Sequence, residues 1–180
     1  MTAVDVRPAG RGTRAPEEFR AVAGRLPTGV TVVAVRTGDI SHAMTVNSFT
    51  TVSLEPPLVL FCVRRSSRTA ALLPVAGAFA VTVLPAGAGA VSKAFADPSR
   101  PPGLGDTGWT PGPGTGSPVL DCGLAYFDCT LETVYVAGDH DVCVGRVRAF
   151  DAIGTGAPLV FAGGRYRELS KSVPPGTSYR

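Results

Sequence analysis

What constrains this chain most is the shortness of the connections between its apolar, β-branched runs. Residues 30–36 lead through Thr37-Gly38-Asp39 into 40–46, and 50–54 is separated from the wholly apolar 58–63 by little more than Pro56-Pro57. The two longest runs, 124–136 and 141–153, flank only Ala137-Gly138-Asp139-His140. A parallel pair needs a crossover of roughly a dozen residues or more, so these neighbours can pair only antiparallel. With further strands predicted at 78–84 and 159–162, strands outnumber helices, and the expected fold is mainly β, an antiparallel barrel with a few helices packed outside. The run 58–63 has no polar face and is expected to be the central, doubly buried strand of a meander.

Three helices are predicted. Phe19, Val22, Ala23 and Leu26 recur at helical spacing after Pro16, with Glu17 and Glu18 in the first turn and Pro27 ending the run. A second helix is expected over 68–73, capped by Ser66 or Ser67 and stopped by Pro74. A third, around 88–96, carries Val91 and Phe95 on one side. Residues 97–118 are dense in Pro and Gly and read as a long surface loop holding Trp109, the single tryptophan. The domain organisation expected is a flexible arm over 1–15, one domain over 16–167 and a polar tail over 168–180.

The chain has 180 residues, enough for one domain with a real core, and 44% of them are hydrophobic against 17% charged, which excludes a wholly disordered chain. Its net charge of +3 is spread without a Lys/Arg block, so a small anionic ligand is a better match than nucleic acid. No apolar run approaches the roughly 18 to 20 residues that cross a bilayer, and Arg7, Arg11 and Arg14 are followed by no apolar signal segment. A soluble, cytoplasmic protein without nucleic-acid or membrane partners is expected. Cys62, Cys122, Cys129 and Cys143 form no C-x-x-C pair and the two histidines are far apart, so no metal site is expected and the thiols read as small buried hydrophobes.

The chemistry must then come from elsewhere. After the run 78–84, Gly87-Ala88-Gly89-Ala90-Val91-Ser92 imitates a dinucleotide fingerprint, but Ser92 replaces the third glycine, Pro85 interrupts the turn, and no second parallel strand follows. P-loop, nucleophile-elbow and zinc-protease patterns are missing. Two polar clusters remain. Thr45, Asn47 and Ser48, where strand 40–46 gives out, could face a heteroaromatic ring, or could be a polar strand end in a turn. Arg64-Arg65-Ser66-Ser67-Arg68-Thr69 opens a helix after an apolar strand, so amides, hydroxyls and guanidiniums could hold a phosphate; the same residues also read as an ordinary capped helix with solvated arginines. Lys93 could add a further positive charge.

Leu26-Pro27-Thr28-Gly29-Val30, His42-Ala43-Met44-Thr45-Val46-Asn47-Ser48-Phe49, Val52-Ser53-Leu54-Glu55-Pro56-Pro57-Leu58-Val59, Ser67-Arg68-Thr69, Phe95-Ala96 and Gly138-Asp139-His140, in that order, resemble the flavin reductase family. These are the reductase components of two-component flavin-dependent monooxygenases. The resemblance spans about 16–167 and implies an FMN-binding split β-barrel, usually a homodimer, that uses NADH or NADPH to reduce FMN or FAD for a partner monooxygenase.

It also implies roles. Thr45, Val46, Asn47 and Ser48 would line the flavin ring, with Cys62 and Val63 behind it through the main chain. Ser67, Arg68 and Thr69 would take the flavin phosphate, in agreement with the anion-site reading, with Lys93 as an added charge. Pro27, Thr28 and Gly29 resemble the turn that approaches the flavin, and Phe95 the aromatic bordering the pocket. His140, with Gly138 and Asp139, resembles the residue on the nicotinamide side and is the candidate catalytic group; Arg165 and Tyr166 would close the site. Alternatives are a flavoprotein or electron carrier that keeps its FMN, and a non-enzymatic ligand-binding barrel.

Overall fold

In a computed structural model, residues 15–169 are described. Helix α1 (Pro16–Ala23) precedes strands β1 (Thr28–Gly29), β2 (Thr31–Thr37), β3 (Ile40–Val46), β4 (Thr50–Leu54) and β5 (Pro57–Arg64). Then come α2 (Arg68–Ala76), β6 (Ala78–Val83), α3 (Gly89–Ala96), and the short β7 (Trp109–Pro111) and β8 (Pro118–Leu120). The long β9 (Ala125–Ala137) and β10 (His140–Ala152) are followed by β11 (Val160–Ala162) and β12 (Arg165–Arg167). Most of arm 1–15 and of tail 168–180 lies outside the described residues.

Seven strands form one antiparallel sheet in the order β3-β2-β6-β9-β10-β5-β4. This corrects the expected meander. β3 and β4 follow one another in the chain yet occupy opposite edges, joined by Asn47-Ser48-Phe49, so the sheet must curl to bring its edges together. It does not close. Ser48 spans the split: its Oγ accepts from the Cys62 amide (2.9 Å) and donates to the Cys62 carbonyl (3.3 Å). The barrel is antiparallel and split, as the sequence led us to expect.

The curl gives two apolar cores. Inside lie Val33, Val35, Phe61, Phe79, Val81 and Cys129, with Leu73 of α2 packed among them. Outside, under α3 and the β7–β8 hairpin, lie Val32, Ala34, Ala43, Leu84, Phe95 and Leu120. The doubly buried strand is therefore β2, buried at every position from Thr31 to Val35, while β5 alternates, with Val59, Phe61 and Val63 inward and Leu60 and Cys62 half-buried. An apolar run states that both faces avoid water; it does not state that the same molecule covers both.

Other expectations are corrected too. Pro74 does not stop α2: helix continues to Ala76 and ends at Gly77, whose φ of 63° is the left-handed conformation that favours glycine. A proline there forfeits one backbone bond, and buried Leu73 keeps the turn in place. The Pro/Gly segment is not wholly irregular, since β7 and β8 pair within it. The final tail begins one strand later than the last predicted strand, because Gly163 and Gly164, both at positive φ, turn the chain back as β12. Cys122 is exposed in a turn; burial pushes the Cys129 and Cys143 thiols up to about 12, which leaves them protonated and inert. Helix α1 buries nothing, and Phe19 and Val22 face outward.

The loop after β7 is held by one side chain. Asp128 on β9 is fully buried and accepts from the Gly114 and Thr115 amides (2.7 and 2.8 Å) and from the Thr115 hydroxyl. Asp128→Ala strands these donors, which cost about 1–3 kcal/mol each when unpaired. We expect a loss of about 3 kcal/mol in urea unfolding; a loss below about 1 kcal/mol would show that the loop finds other partners.

Candidate functional site

The edge of β3, the start of α2 and the end of α3 enclose a cavity of about 380 Å³. The start of α2 supplies its most polar wall. Ser67 is the N-cap, accepting through Oγ from the Ala70 amide (3.2 Å), which leaves its own O–H free to donate. The amides of Arg68 and Thr69, in the first turn, have no intrahelical acceptor. Ser66, Arg64 and Arg68 line the same wall. Arg65 does not: it turns away toward Asp141, 3.6 Å off.

Two lining groups are buried without a partner. Thr69 is fully buried, and its Oγ1 bonds to nothing among the described residues; His42 on β3 is 9% exposed, and its Nδ1 is likewise unpaired. An unsatisfied buried polar atom costs about 1–3 kcal/mol, so a fold that keeps two in one cavity is shaped for something that pairs with them. Arg64, Arg68 and Arg100 add three guanidiniums to the lining, and among the described residues none forms an ion pair with a carboxylate. The arrangement can neutralise and hydrogen-bond an anion with several oxygens.

A second cavity, of about 220 Å³, shares Thr45 and Ala96 with the first. Asn47, Ser92, Phe161 and Tyr166 also line it. Thr45 is fixed at the waist by donating to the Ser92 carbonyl (2.7 Å), and the Tyr166 hydroxyl donates to Ser92 Oγ (2.8 Å). The Tyr166 and Phe161 rings meet edge to face at 5.8 Å. An anion-binding end thus joins an aromatic, weakly polar end, dimensions suited to a ring carrying a phosphorylated side chain.

Of the residues singled out in the sequence, Thr45, Ser67, Arg68, Thr69 and Phe95 line the first cavity, and Asn47 and Tyr166 the second with Thr45. Val46 and Val63 point into the inner core, so only their main chain is available, while Ser48 and Cys62 bond each other at the split. Lys93 is exposed on α3 and lines neither cavity. Gly138, Asp139 and His140 form the β9–β10 tip, next to the first cavity's rim: His140 lies opposite Arg64, and the Asp139 carbonyl accepts from the Arg65 amide (3.1 Å). His140 Nδ1 sits 2.7 Å from Asp139 Oδ1, a contact that holds the Asp139 carboxyl below its ordinary value. Pro27 leads into Thr28 and Gly29, which pair with β11 beside Phe161, and Thr28 Oγ1 is a third buried atom without a partner. Arg165 is exposed.

Among the lining residues that sequence reasoning missed, with Asp97, Ser92 and Phe161, are Arg100 and His42. Arg100 lies where Pro and Gly erase any periodicity; His42 stood within a quoted segment, but strand alternation alone gave no ligand for it. Burial, then the Arg100 and Arg68 guanidiniums, holds the His42 imidazole below its ordinary value of 6.5. The unfolded chain therefore takes up this proton at higher pH than the folded one, and stability falls as pH drops through about 6.5 toward the depressed value. We expect the melting temperature of the ligand-free protein to fall further between about pH 7.5 and about pH 5.5 than that of His42→Gln; parallel curves would contradict this.

Comparison with known proteins bears on what the ring could be. Residues 23–170 match the family described as flavin reductase like domain. The chain is 40% identical over 162 residues to an NADH-dependent FAD reductase of Streptomyces globisporus, covering 88% of each. It is 39% identical over 163 residues to the reductase subunit HsaB of a flavin-dependent monooxygenase in Rhodococcus jostii, covering 88% of this chain and 82% of that one. Its fold superposes with a TM-score of 0.82, at 38% identity, on the crystal structure of BorF, the flavin reductase component of a bacterial two-component tryptophan halogenase, covering 88% of this chain and all of the other.

Proposed function

The chain belongs to the flavin reductase like family, and from that membership we propose that it is an NADH- or NADPH-dependent flavin reductase, reducing FMN or FAD for a separate monooxygenase. The observation that carries the reading is the first cavity, where guanidiniums without a carboxylate partner among the described residues and the orphaned hydroxyl of Thr69 surround the start of α2. A flavin phosphate fits this donor set, and the cavity beyond the waist fits the ring. When bound, the flavin supplies the redox chemistry by accepting hydride from the nicotinamide, so no nucleophile or metal is asked of the protein.

The chain's own residues bind and orient. Ser67 and Thr69 donate to the phosphate, and Arg68 adds charge. Thr45, held by Ser92, fixes the waist; Asn47 offers an amide to the ring edge, and the Ser48–Cys62 bonds keep the two sides of the split at one spacing. Phe95 closes the floor and Tyr166 the far end. His140, oriented by Asp139, faces the nicotinamide side through Nε2, and the Pro27–Gly29 main chain approaches from β1.

We assign a homodimer to the working form. On the outer face of β5 and β10, Cys62 lies beside Val142 and Leu60 beside Val144, all half-buried, an apolar strip that a second copy would cover. Among the described residues no helix is long and apolar enough to cross a membrane. Free thiols and a reduced nicotinamide substrate match a reducing compartment, and we place the protein in the cytoplasm.

Purified protein should accelerate NADH or NADPH oxidation when FMN, FAD or riboflavin is supplied; no acceleration with any of the three refutes the proposal. Ser67→Ala/Thr69→Ala should weaken FMN binding by about 100-fold or more, since each of the two lost bonds to a charged group is worth about 1.5–3 kcal/mol, and leave riboflavin within about twofold. Equal losses for both flavins would place the phosphate elsewhere.

A further inference from the structure

Between α3 and β7 the chain has neither helix nor strand, yet Arg100 in this stretch is fixed three ways. One terminal nitrogen donates to the Gly103 carbonyl (2.8 Å) and the other to the Ala43 carbonyl on β3 (2.9 Å), while the guanidinium carbon lies 4.6 Å from the Phe95 ring centre. Two of its five N–H donors are used, and three remain. Arg68 donates to the Arg100 carbonyl (2.7 Å), which holds the second guanidinium close by. Burial and that neighbour lower the Arg100 pKa, a sign that the two cations are crowded together. Asp97 also lines the cavity; its Oδ1 accepts from the Ser99 amide and hydroxyl (2.8 and 2.7 Å), and its charge offsets only part of the cationic crowding at Arg100.

One phosphoryl group is served by the start of α2 alone. Arg100 and His42 line the same cavity from a different wall, and His42 Nδ1 is buried there without a partner among the described residues. We infer that the cavity holds the diphosphate bridge of a dinucleotide, one phosphoryl group on Ser67 to Thr69 and the other on Arg100 with His42, which makes Arg100 the residue selecting dinucleotide over mononucleotide. This inference rests on the flavin-site reading and deepens it. A planar fork with free donors is the side chain suited to a phosphoryl group in a fixed place. Because the first phosphoryl position is the flavin's, the dinucleotide meant is FAD.

The test compares the unsubstituted protein with Arg100→Gln and Arg100→Lys. Dissociation constants for riboflavin, FMN and FAD are read from flavin fluorescence, and KM for NADH and NADPH is read with saturating riboflavin. Arg100→Gln should weaken FAD on the order of 10-fold, with FMN and riboflavin within about twofold, and Arg100→Lys should restore part of the loss. If FAD is unchanged and the nicotinamide KM rises on the same order, Arg100 serves the nicotinamide dinucleotide instead, and the inference is overturned. Equal weakening of FMN and FAD, or no change in any ligand, overturns the inference. Failure of the unsubstituted protein to bind even riboflavin would instead overturn the flavin reading. Should Arg100→Gln not fold, inorganic pyrophosphate is titrated against FAD on the unsubstituted protein: it should displace FAD at least about tenfold more potently than orthophosphate, and equal potency overturns the inference.

Discussion

Three residues carry the chain from one edge of the sheet to the other. Asn47-Ser48-Phe49 join β3 to β4, and a connection of that length spans at most about 15 Å even when fully extended, at roughly 3.8 Å per step. Seven strands laid flat would separate those edges by nearly twice that distance, at about 4.8 Å per strand. The sheet is therefore obliged to roll. The roll creates the inner core around Phe61 and Phe79, exposes a second apolar face on β2 for α3 to cover, and brings the end of β3 beside the end of β5. Ser48, bonded to both backbone groups of Cys62, sets how far the two sides stand apart.

Everything polar in the site follows from that closure. With β3 beside the β5–α2 junction, His42 and Thr45 confront Ser67, Arg68 and Thr69. The edge of β3 would otherwise present free carbonyls, a hazard that edge strands must manage. Here Arg100 covers Ala43, and Gly103 bridges to His42, so the segment after α3 protects the edge and also completes the cavity wall. Positive charge accumulates there because cations from several elements converge where no described carboxylate pairs with them, an arrangement that favours an anionic ligand.

Much of this was legible in the residues. Turn chemistry placed the strands, Ser67 proved to be the cap of α2, and the quoted segments around Thr45 and Thr69 indeed meet at one cavity. Strand order was not legible, because alternation reports which face is dry and says nothing about which strand lies alongside; hence β5 was expected where β2 is. Pro74 misled because proline's cost in a helix is about 3 kcal/mol, an amount that packing around Leu73 offsets. Arg100 was invisible for a different reason: its role is set by contacts with Ala43 and Phe95, distant or irregular in the chain, and no local pattern encodes them.

The central claim concerns one hydroxyl. In a crystal structure of the protein with FMN, Thr69 Oγ1, buried and unpaired in the free cavity, should lie within hydrogen-bond distance of a phosphate oxygen, beside the first amides of α2. FMN bound with its phosphate elsewhere, and Thr69 still without a partner, would contradict the account.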